Sequence, residues 1–247
     1  MSRRAVVIVL ARAGSKGLPR KNALPVAGRP CAAWTLAAAK NATSAASVAL
    51  SSDDPELLAL AGAMSVTPIR RPPELASDTA TVDAAARHAL ADLGTTRTLN
   101  APDLPIVILY ANVPVRPVDL IDRAVQLLVE SGCDSVQSYA PVGKHHPWWT
   151  VRVEEPSGKL RPWEGEVLYN GVYRRQDLAP AFIPDGGVLA VTRRALMCEI
   201  PGVTPGPHAF LGLDKRGVVN PEGSVVDIDS RVDLLVADAM LRESSKH

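Results

Sequence analysis

The stretch VVIVLARAGSKGLPRKN, Val6 to Asn22, begins as an unbroken run of β-branched and aliphatic residues and passes directly into a basic loop punctuated by glycine. The run Val6–Leu10 predicts a short strand buried on both faces, as at the centre of a parallel sheet. In the loop, Gly14 and Gly17 permit positive φ and close approach of a ligand to the backbone, and Ser15 adds a hydroxyl. Arg12, Lys16, Arg20 and Lys21 add positive charge. Open α/β sheets take their ligands where a strand hands its loop to the carboxyl edge, so this loop reads as a triphosphate cradle. It has neither the G-x-G-x-x-G of a dinucleotide fold nor the G-K-[ST] ending of a P-loop, since Lys16 is followed by Gly17.

The charge distribution points to the same place. No Asp or Glu precedes Asp53, whereas Arg3, Arg4, Arg12, Lys16, Arg20, Lys21, Arg29 and Lys40 make that segment formally +8 in a chain of net charge +1. The basic charge is local, and the overall bias of a nucleic-acid binder is missing, so no nucleic-acid partner is expected. At 247 residues and 47% hydrophobic content, the chain suits a single α/β domain (1–247) with room for an inserted lobe. Cys31, Cys133 and Cys198 are scattered without C-x-x-C spacing, as expected of reduced core thiols in a cytoplasmic protein. Met1-Ser2-Arg3-Arg4 resembles a twin-arginine export signal only superficially, because the apolar run after it is short and Arg12 ends it. No segment has transmembrane length, and no membrane contact is expected.

Outward from the cradle, Pro30–Ala42 is an alanine-rich helix pattern with proline near its first turn. Val48–Leu50 is a second strand, and Asp53 or Asp54 before Pro55 suits the N-cap of a helix over Pro55–Met64. Val66–Ile69 is a third strand, Val82–Leu93 a helix closed by Gly94, and Pro105–Tyr110 an interior strand. Asp119–Ser131, apolar at Leu120, Ala124, Leu127 and Leu128, is a helix closed by Gly132, and a strand over Asp134–Tyr139 follows. Between Tyr139 and Phe182 the composition changes: seven of the ten aromatic residues fall here, among frequent prolines. This predicts a lobe of extended segments whose aromatics form a satellite core, a protein interface, or both. Val225-Val226-Asp227-Ile228-Asp229 sets two carboxylates at i and i+2 on one face of a strand, with Ile228 toward the core. Two such oxygens beside a basic cradle suit Mg²⁺, although either aspartate also suits the cap of a helix over Arg231–Arg242.

Ala11-Arg12-Ala13-Gly14-Ser15-Lys16-Gly17-Leu18-Pro19-Arg20-Lys21-Asn22 resembles the nucleotide-binding signature of the acylneuraminate cytidylyltransferases, which make CMP-activated sialic acids and related nonulosonic acids. Ala13 stands where that family usually has glycine or another small or polar residue. Arg70–Thr79 resembles the family's second signature, in which an arginine after the strand helps hold the nucleotide. Arg71 is the candidate, with Thr81 a weaker one because it also suits the cap of the following helix. Tyr110–Pro117 occupies the place of a Gln-x-Thr-Ser-Pro-x-Arg segment in sialate-activating members. Tyr110 replaces the glutamine, as in the pseudaminate-activating branch. Lys144-His145-His146-Pro147 and Arg174-Arg175-Gln176-Asp177 also resemble family segments, and an arginine of the second is needed for activity in the family. Arg175 is favoured and Arg174 stays open, since either also suits a surface ion pair with Asp177. Asp185-Gly186 stands where sialate-activating members have Asn-Gly.

The resemblance, running from Val6 to about Leu241, implies a three-layer α/β sandwich of the nucleotide-diphospho-sugar transferase kind, Rossmann-like, with a mostly parallel sheet. It also implies that the lobe, 139–186, is a dimerisation element reaching toward a neighbouring subunit's site in a homodimer. The implied reaction transfers CMP from CTP to the anomeric hydroxyl of a nonulosonic acid and releases pyrophosphate. On this reading Arg12, Ala13, Gly14, Ser15, Lys16, Asn22, Arg71, Thr81 and Tyr110 hold the nucleotide, and Lys21 and Arg175 are catalytic. Arg174, Gln176, Asp185 and Lys144 meet the sugar, while Asp227 and Asp229 match the family's metal-binding Asp-x-Asp and would hold Mg²⁺. Two other readings stay open. One is activation of the eight-carbon Kdo, against which Ser15–Asn22 argues; the other is a non-catalytic nucleotide sensor, against which Lys21, Asp227 and Asp229 count.

Overall fold

The computed structural model describes residues 4–14, 17–94, 96 and 98–244. Ser15 and Lys16 of the predicted cradle lie outside the described residues. The run that opens the signature forms β1 (Ala5–Ala11), buried along its whole length. Its side chains alternate between two cores: Val7 and Val9 pack with Leu36, Leu57 and Leu128, and Val6, Ile8 and Leu10 with Ala85, Leu90 and Leu196. A strand apolar on both faces needs a covering layer on each, and it has them.

The elements follow as β2 (Pro25–Val26), β3 (Arg29–Pro30), α1 (Cys31–Asn41), β4 (Ala45–Ser52), α2 (Pro55–Ala63), β5 (Thr67–Arg70), α3 (Val82–Asp92) and β6 (Pro105–Tyr110). After these come α4 (Leu120–Ser131), β7 (Ser135–Pro141), β8 (Val151–Glu154), β9 (Lys159–Pro162), β10 (Phe182–Thr192), α5 (Arg193–Leu196), β11 (Lys215–Val219) and α6 (Arg231–Ser244). The main sheet has seven strands in the order β11-β7-β10-β6-β1-β4-β5. Only β10 runs against the rest. Helices α1, α2 and α4 cover one face and α3 and α5 the other, giving the expected three-layer α/β sandwich. Among the described residues no helix is long and apolar enough to cross a membrane.

Three expectations need adjustment. Val225–Asp229 is not a strand of the sheet: only Val226 makes an antiparallel bridge, to Val115, and Ile228 N–H donates to the Asn112 carbonyl at 2.9 Å. The segment is an extended strip fastened beside residues 112–115, with Ile228 fully buried. Of the cysteines, Cys31 and Cys133 are buried, but Cys198 is exposed at the turn after α5. Gly14 and Gly17 do not use positive φ. Gly17 is instead required by proximity, since a Cβ there would lie 2.7 Å from the backbone oxygen of Asp229.

Between Pro141 and Phe182, which pair across β7 and β10, the chain leaves the sheet. The excursion holds the β8–β9 hairpin and single turns of 3₁₀ helix, in keeping with its extended composition. Its aromatics are partly a satellite core, with Trp149 Nε1 donating to the Val172 carbonyl at 2.8 Å and Arg152 stacked 4.8 Å from the Trp163 ring centre. His146 is buried and structural: its Nδ1 accepts from Trp148 N–H at 3.2 Å and its Nε2 donates to the Ala179 carbonyl at 3.0 Å. Other aromatics of the lobe are largely open to solvent, Tyr173 being 85% exposed, and Trp163 is itself 56% exposed.

Candidate active site

At the carboxyl edge of β1, β4 and β6 a cleft of about 320 Å³ opens, lined by Arg12, Lys21, Asn22, Arg71, Thr81, Tyr110, Asp227 and Asp229 among others. Four segments far apart in sequence thus meet where an open α/β sheet presents its ligand. The cradle loop is tied down from the neighbouring strand. Asp53, just past β4, accepts from Ala13 N–H at 2.7 Å, while Asp54 caps α2 by accepting from Glu56 N–H at 2.8 Å. The paired aspartates divide the work, one fixing the loop and the other the helix.

Arg71 is buried at the end of β5, where its Nε donates to Ser51 Oγ at 3.0 Å and its Nη2 to the Ser51 carbonyl at 2.8 Å. Burial lowers its pKa to about 10, against the pull of Asp53. A guanidinium held by neutral oxygens keeps its charge for an incoming anion. Asn22 is also buried: its Nδ2 donates to the Arg12 carbonyl at 2.9 Å, and its Oδ1 has no partner among the described residues. Arg12 meets Asp78 across the cleft mouth at 2.6 Å, an exposed pair that phosphate oxygens can displace. Thr81 caps α3, accepting from Ala84 N–H at 3.3 Å, and it also lines the cleft.

Lys21 Nζ lies 2.5 Å from Asp229 Oδ1. Asp227, more deeply set, accepts from Asn112 Nδ2. Burial first and Asp229 second push the Asp227 carboxyl up to about 6, with Lys21 opposing. The site therefore holds more acid than its own cation compensates. Behind it, Nε and Nη1 of Arg116 are buried without a partner among the described residues, and burial lowers this guanidinium to about 10. Burial also pushes the Cys31 thiol up to about 12, which leaves it neutral and inert.

The structure does not bring every sequence-predicted residue to this cleft. Arg174 forms the surface pair foreseen as its alternative, with Asp177 at 2.6 Å. Arg175 pairs with Glu222 and lines a separate groove on the lobe beside His146 and Phe182. Lys144 and Gln176 are exposed on the same lobe. Asp185 sits in the bulge of β10 with both oxygens engaged, accepting from Ser138 Oγ, from Gly187 N–H at 2.9 Å and from Asn220 Nδ2 at 2.7 Å. It fastens the turn. Sequence reasoning had no role for Asn112 or the Asp53 tether, because their partners lie 115 and 40 residues away and no local spacing announces them; Arg116 enters it only within Tyr110–Pro117, although its Nη2 donates to the Val113 carbonyl at 2.7 Å.

A family model described as cytidylyltransferase matches residues 6–150, more than half of the 247-residue chain. The chain belongs to the cytidylyltransferase family. It is 27% identical over 207 residues to N-acylneuraminate cytidylyltransferase of Streptococcus agalactiae, covering 83% of this chain but 47% of that protein. This cytidylyltransferase thus spans about half the length of that curated relative. It is also 27% identical over 238 residues to pseudaminic acid cytidylyltransferase of Campylobacter jejuni, covering 95% of each. Among solved structures its fold matches CMP:2-keto-3-deoxy-manno-octonic acid synthetase complexed with CTP, with a TM-score of 0.69 at 15% identity over 98% of this chain and 99% of that one. A 4-diphosphocytidyl-2C-methyl-D-erythritol synthase from Anaerococcus prevotii follows, with a TM-score of 0.62 at 11% identity over 97% and 99%. At such identities these neighbours share the fold.

Proposed function

We propose that this cytidylyltransferase transfers CMP from CTP to the anomeric hydroxyl of a sialic-acid-like nonulosonic acid and releases pyrophosphate. The observation that carries the reading is the meeting of Lys21 with Asp227 and Asp229 in the cleft that also holds the buried Arg71 and Asn22. The names of two relatives support the acceptor class, since N-acylneuraminate and pseudaminic acid are both nonulosonic acids.

In this reaction the anomeric hydroxyl gives up its proton to solvent as its oxygen attacks the α-phosphorus, the bond to the β-phosphate oxygen breaks, and pyrophosphate leaves with the electron pair. Positioning and neutralisation of charge carry such chemistry, and no protein nucleophile is required. Arg12 exchanges Asp78 for phosphate oxygens, Arg71 holds a nucleotide anion from its buried seat, and Asn22 Oδ1 accepts from the nucleotide. Lys21 leaves Asp229 to offset the charge growing on the leaving group. Asp227 and Asp229 fit a hard divalent cation, because both offer only oxygen and their mutual repulsion raises Asp227. They would hold Mg²⁺, which supplies further neutralisation of phosphate charge when bound. Arg175, with Arg174, Gln176 and Lys144 near it on the lobe, would meet the sugar acid in the cleft of a second subunit, in a homodimer.

The test is pyrophosphate release with CTP and Mg²⁺ across N-acetylneuraminate, Kdn, legionaminate, pseudaminate and Kdo. Release is expected with a nonulosonic acid and is expected to be abolished in Asp227→Ala. CTP binding without release from any acid would turn the reading toward a nucleotide sensor.

A further inference from the structure

The turn after β6 is held from behind by buried donors. Thr35 of α1, fully buried, donates from Oγ1 to the Val113 carbonyl at 2.9 Å, and Arg116 donates from Nη2 to the same oxygen at 2.7 Å. Cys31 Sγ reaches the Ala111 carbonyl at 3.5 Å. The other two nitrogens of Arg116 are buried and find no acceptor among the described residues, yet the guanidinium, lowered only to about 10, stays charged at neutral pH. Keeping such a charge out of water costs stability. Arg116 does not line the cleft, so the reaction as proposed gives it no contact with substrate.

The opposite side of the same turn carries the acidic strip. The Asn112 carbonyl accepts from Ile228 N–H at 2.9 Å and the Val115 carbonyl from Val226 N–H at 3.2 Å. Asn112 Nδ2 donates to Asp227 and to the Ile228 carbonyl. Val113, which Thr35 and Arg116 grip together, lies between these two points of suspension. We infer that Arg116 is a positioning residue for Asp227 and Asp229: by holding the Val113 carbonyl it fixes the turn from which the strip hangs, and with it the aim of the two carboxylates at a divalent cation. The inference rests on the function proposed above, in which that pair holds Mg²⁺. Lys21 cannot serve as the fixed support, because it must leave Asp229 for the leaving group, whereas Arg116 stays on its carbonyl throughout. Groups that orient metal ligands in this way govern affinity for the ion without touching it.

The test titrates Mg²⁺ at saturating CTP and reads two midpoints, one from the rise in melting temperature and one from pyrophosphate release with N-acetylneuraminate or whichever acid the wild type accepts. In Arg116→Met both midpoints are expected to rise about tenfold or more. CTP affinity without metal is expected to be unaltered and turnover to recover at high Mg²⁺. The metal-free melting temperature is expected to stay at or above that of the wild type, as the unpaired charge is removed. Thr35→Val, close in shape, removes the other grip on Val113 and is expected to move both midpoints the same way by a smaller factor. Arg116→Lys, which can still reach one carbonyl, is expected to restore part of the loss. Unmoved midpoints in Arg116→Met and Thr35→Val would overturn the positioning role. So would a common fall in melting temperature, CTP affinity and turnover that high Mg²⁺ does not repair. Asp227→Ala separates this inference from the reaction beneath it. If that variant loses the Mg²⁺ response while Arg116→Met keeps it, only the positioning role fails; if it too responds as the wild type does, the proposed metal-assisted reaction fails with it.

Discussion

In the ligand-free chain Asp227 keeps its proton to about pH 6, because burial and Asp229 both disfavour its charge. An aspartate in an unfolded chain titrates near 3.9. The folded value is the higher one, so between roughly 4 and 6 the folded chain binds the extra proton. The stabilising contribution of this group is therefore complete below about pH 4 and lost as pH rises through about 6. Asp227→Asn keeps an acceptor for Asn112 but removes the charge. The variant is expected to melt at or above the wild-type temperature at pH 7 without a divalent cation, with the gap closing toward pH 4. Mg²⁺ with CTP is expected to raise the wild-type melting temperature and not that of the variant. A pH-independent gap, or equal stabilisation by Mg²⁺, would show that Asp227 carries no excess charge of this kind. At this scale Lys21, Asn22, Arg71 and Asp227, singled out by residue type, all reach one cleft, whereas Arg174, Arg175, Gln176 and Lys144 stay on the lobe and Asp185 fastens a turn. The sequence offered Asp53 only as an alternative to Asp54 for a helix cap and gave Asn112 no role, because the meaning of both depends on what the fold sets opposite them.

The cradle loop and the acidic strip are locked to each other as elements. Gly17 lets the Asp229 carbonyl approach, Lys21 meets the Asp229 carboxylate, and the strip is anchored by Val226 and Ile228 to the turn after β6. A methyl group at Gly17 must push the two apart. Gly17→Ala is expected to cost about 1–3 kcal/mol in denaturant unfolding. Turnover should fall about tenfold to a hundredfold as the acidic pair shifts from Lys21. Wild-type stability and rate in that variant would show that the close approach is dispensable. Element boundaries were legible where side chains announce them, as at Thr81 before α3 and Gly132 after α4. They were not at the start of β4: Ala45, Ala46 and Ser47 carry no apolar pattern, and what makes them strand is the ladder offered by β1 from Ala5 onward.

For the whole molecule, the open question raised by the lobe is whose cleft it serves. Arg175 lies outside the cleft of its own chain, and the lobe around it exposes Trp163, Tyr173, Phe182 and Ile183, a surface suited to a second copy. Arg175→Ala is expected to forfeit about 2 kcal/mol or more of transition-state stabilisation, roughly thirtyfold in rate, with an unchanged melting temperature. Lys21→Ala is expected to abolish turnover in its own cleft. If the lobe works across a dimer, mixing the two impaired proteins under exchange conditions raises the activity above the sum of the two measured alone, since some clefts then receive an intact Lys21 and an intact Arg175. Absence of such a gain in a verified mixed dimer would return the lobe to its own chain. The apolar run of β1 and the helix patterns around it announced an α/β domain and the family resemblance implied its three layers, but the reversed direction of β10 followed from neither, because strand direction leaves no mark on composition.

That reversal has a further consequence. Because β10 runs against its neighbours, the lobe departs from Pro141 and returns at Phe182, two residues that face each other across adjacent strands. The excursion is thus a closed loop hung from one point on the sheet, and no crossover threads through it. Such an attachment is interchangeable: the forty residues between these two anchors can lengthen, shrink or be exchanged for another sequence without changing the register of a single core strand. If the lobe meets the sugar as proposed, nucleotide machinery and acceptor-facing surface are in this sense separately heritable, and a lineage could acquire a new sugar while leaving the cradle untouched.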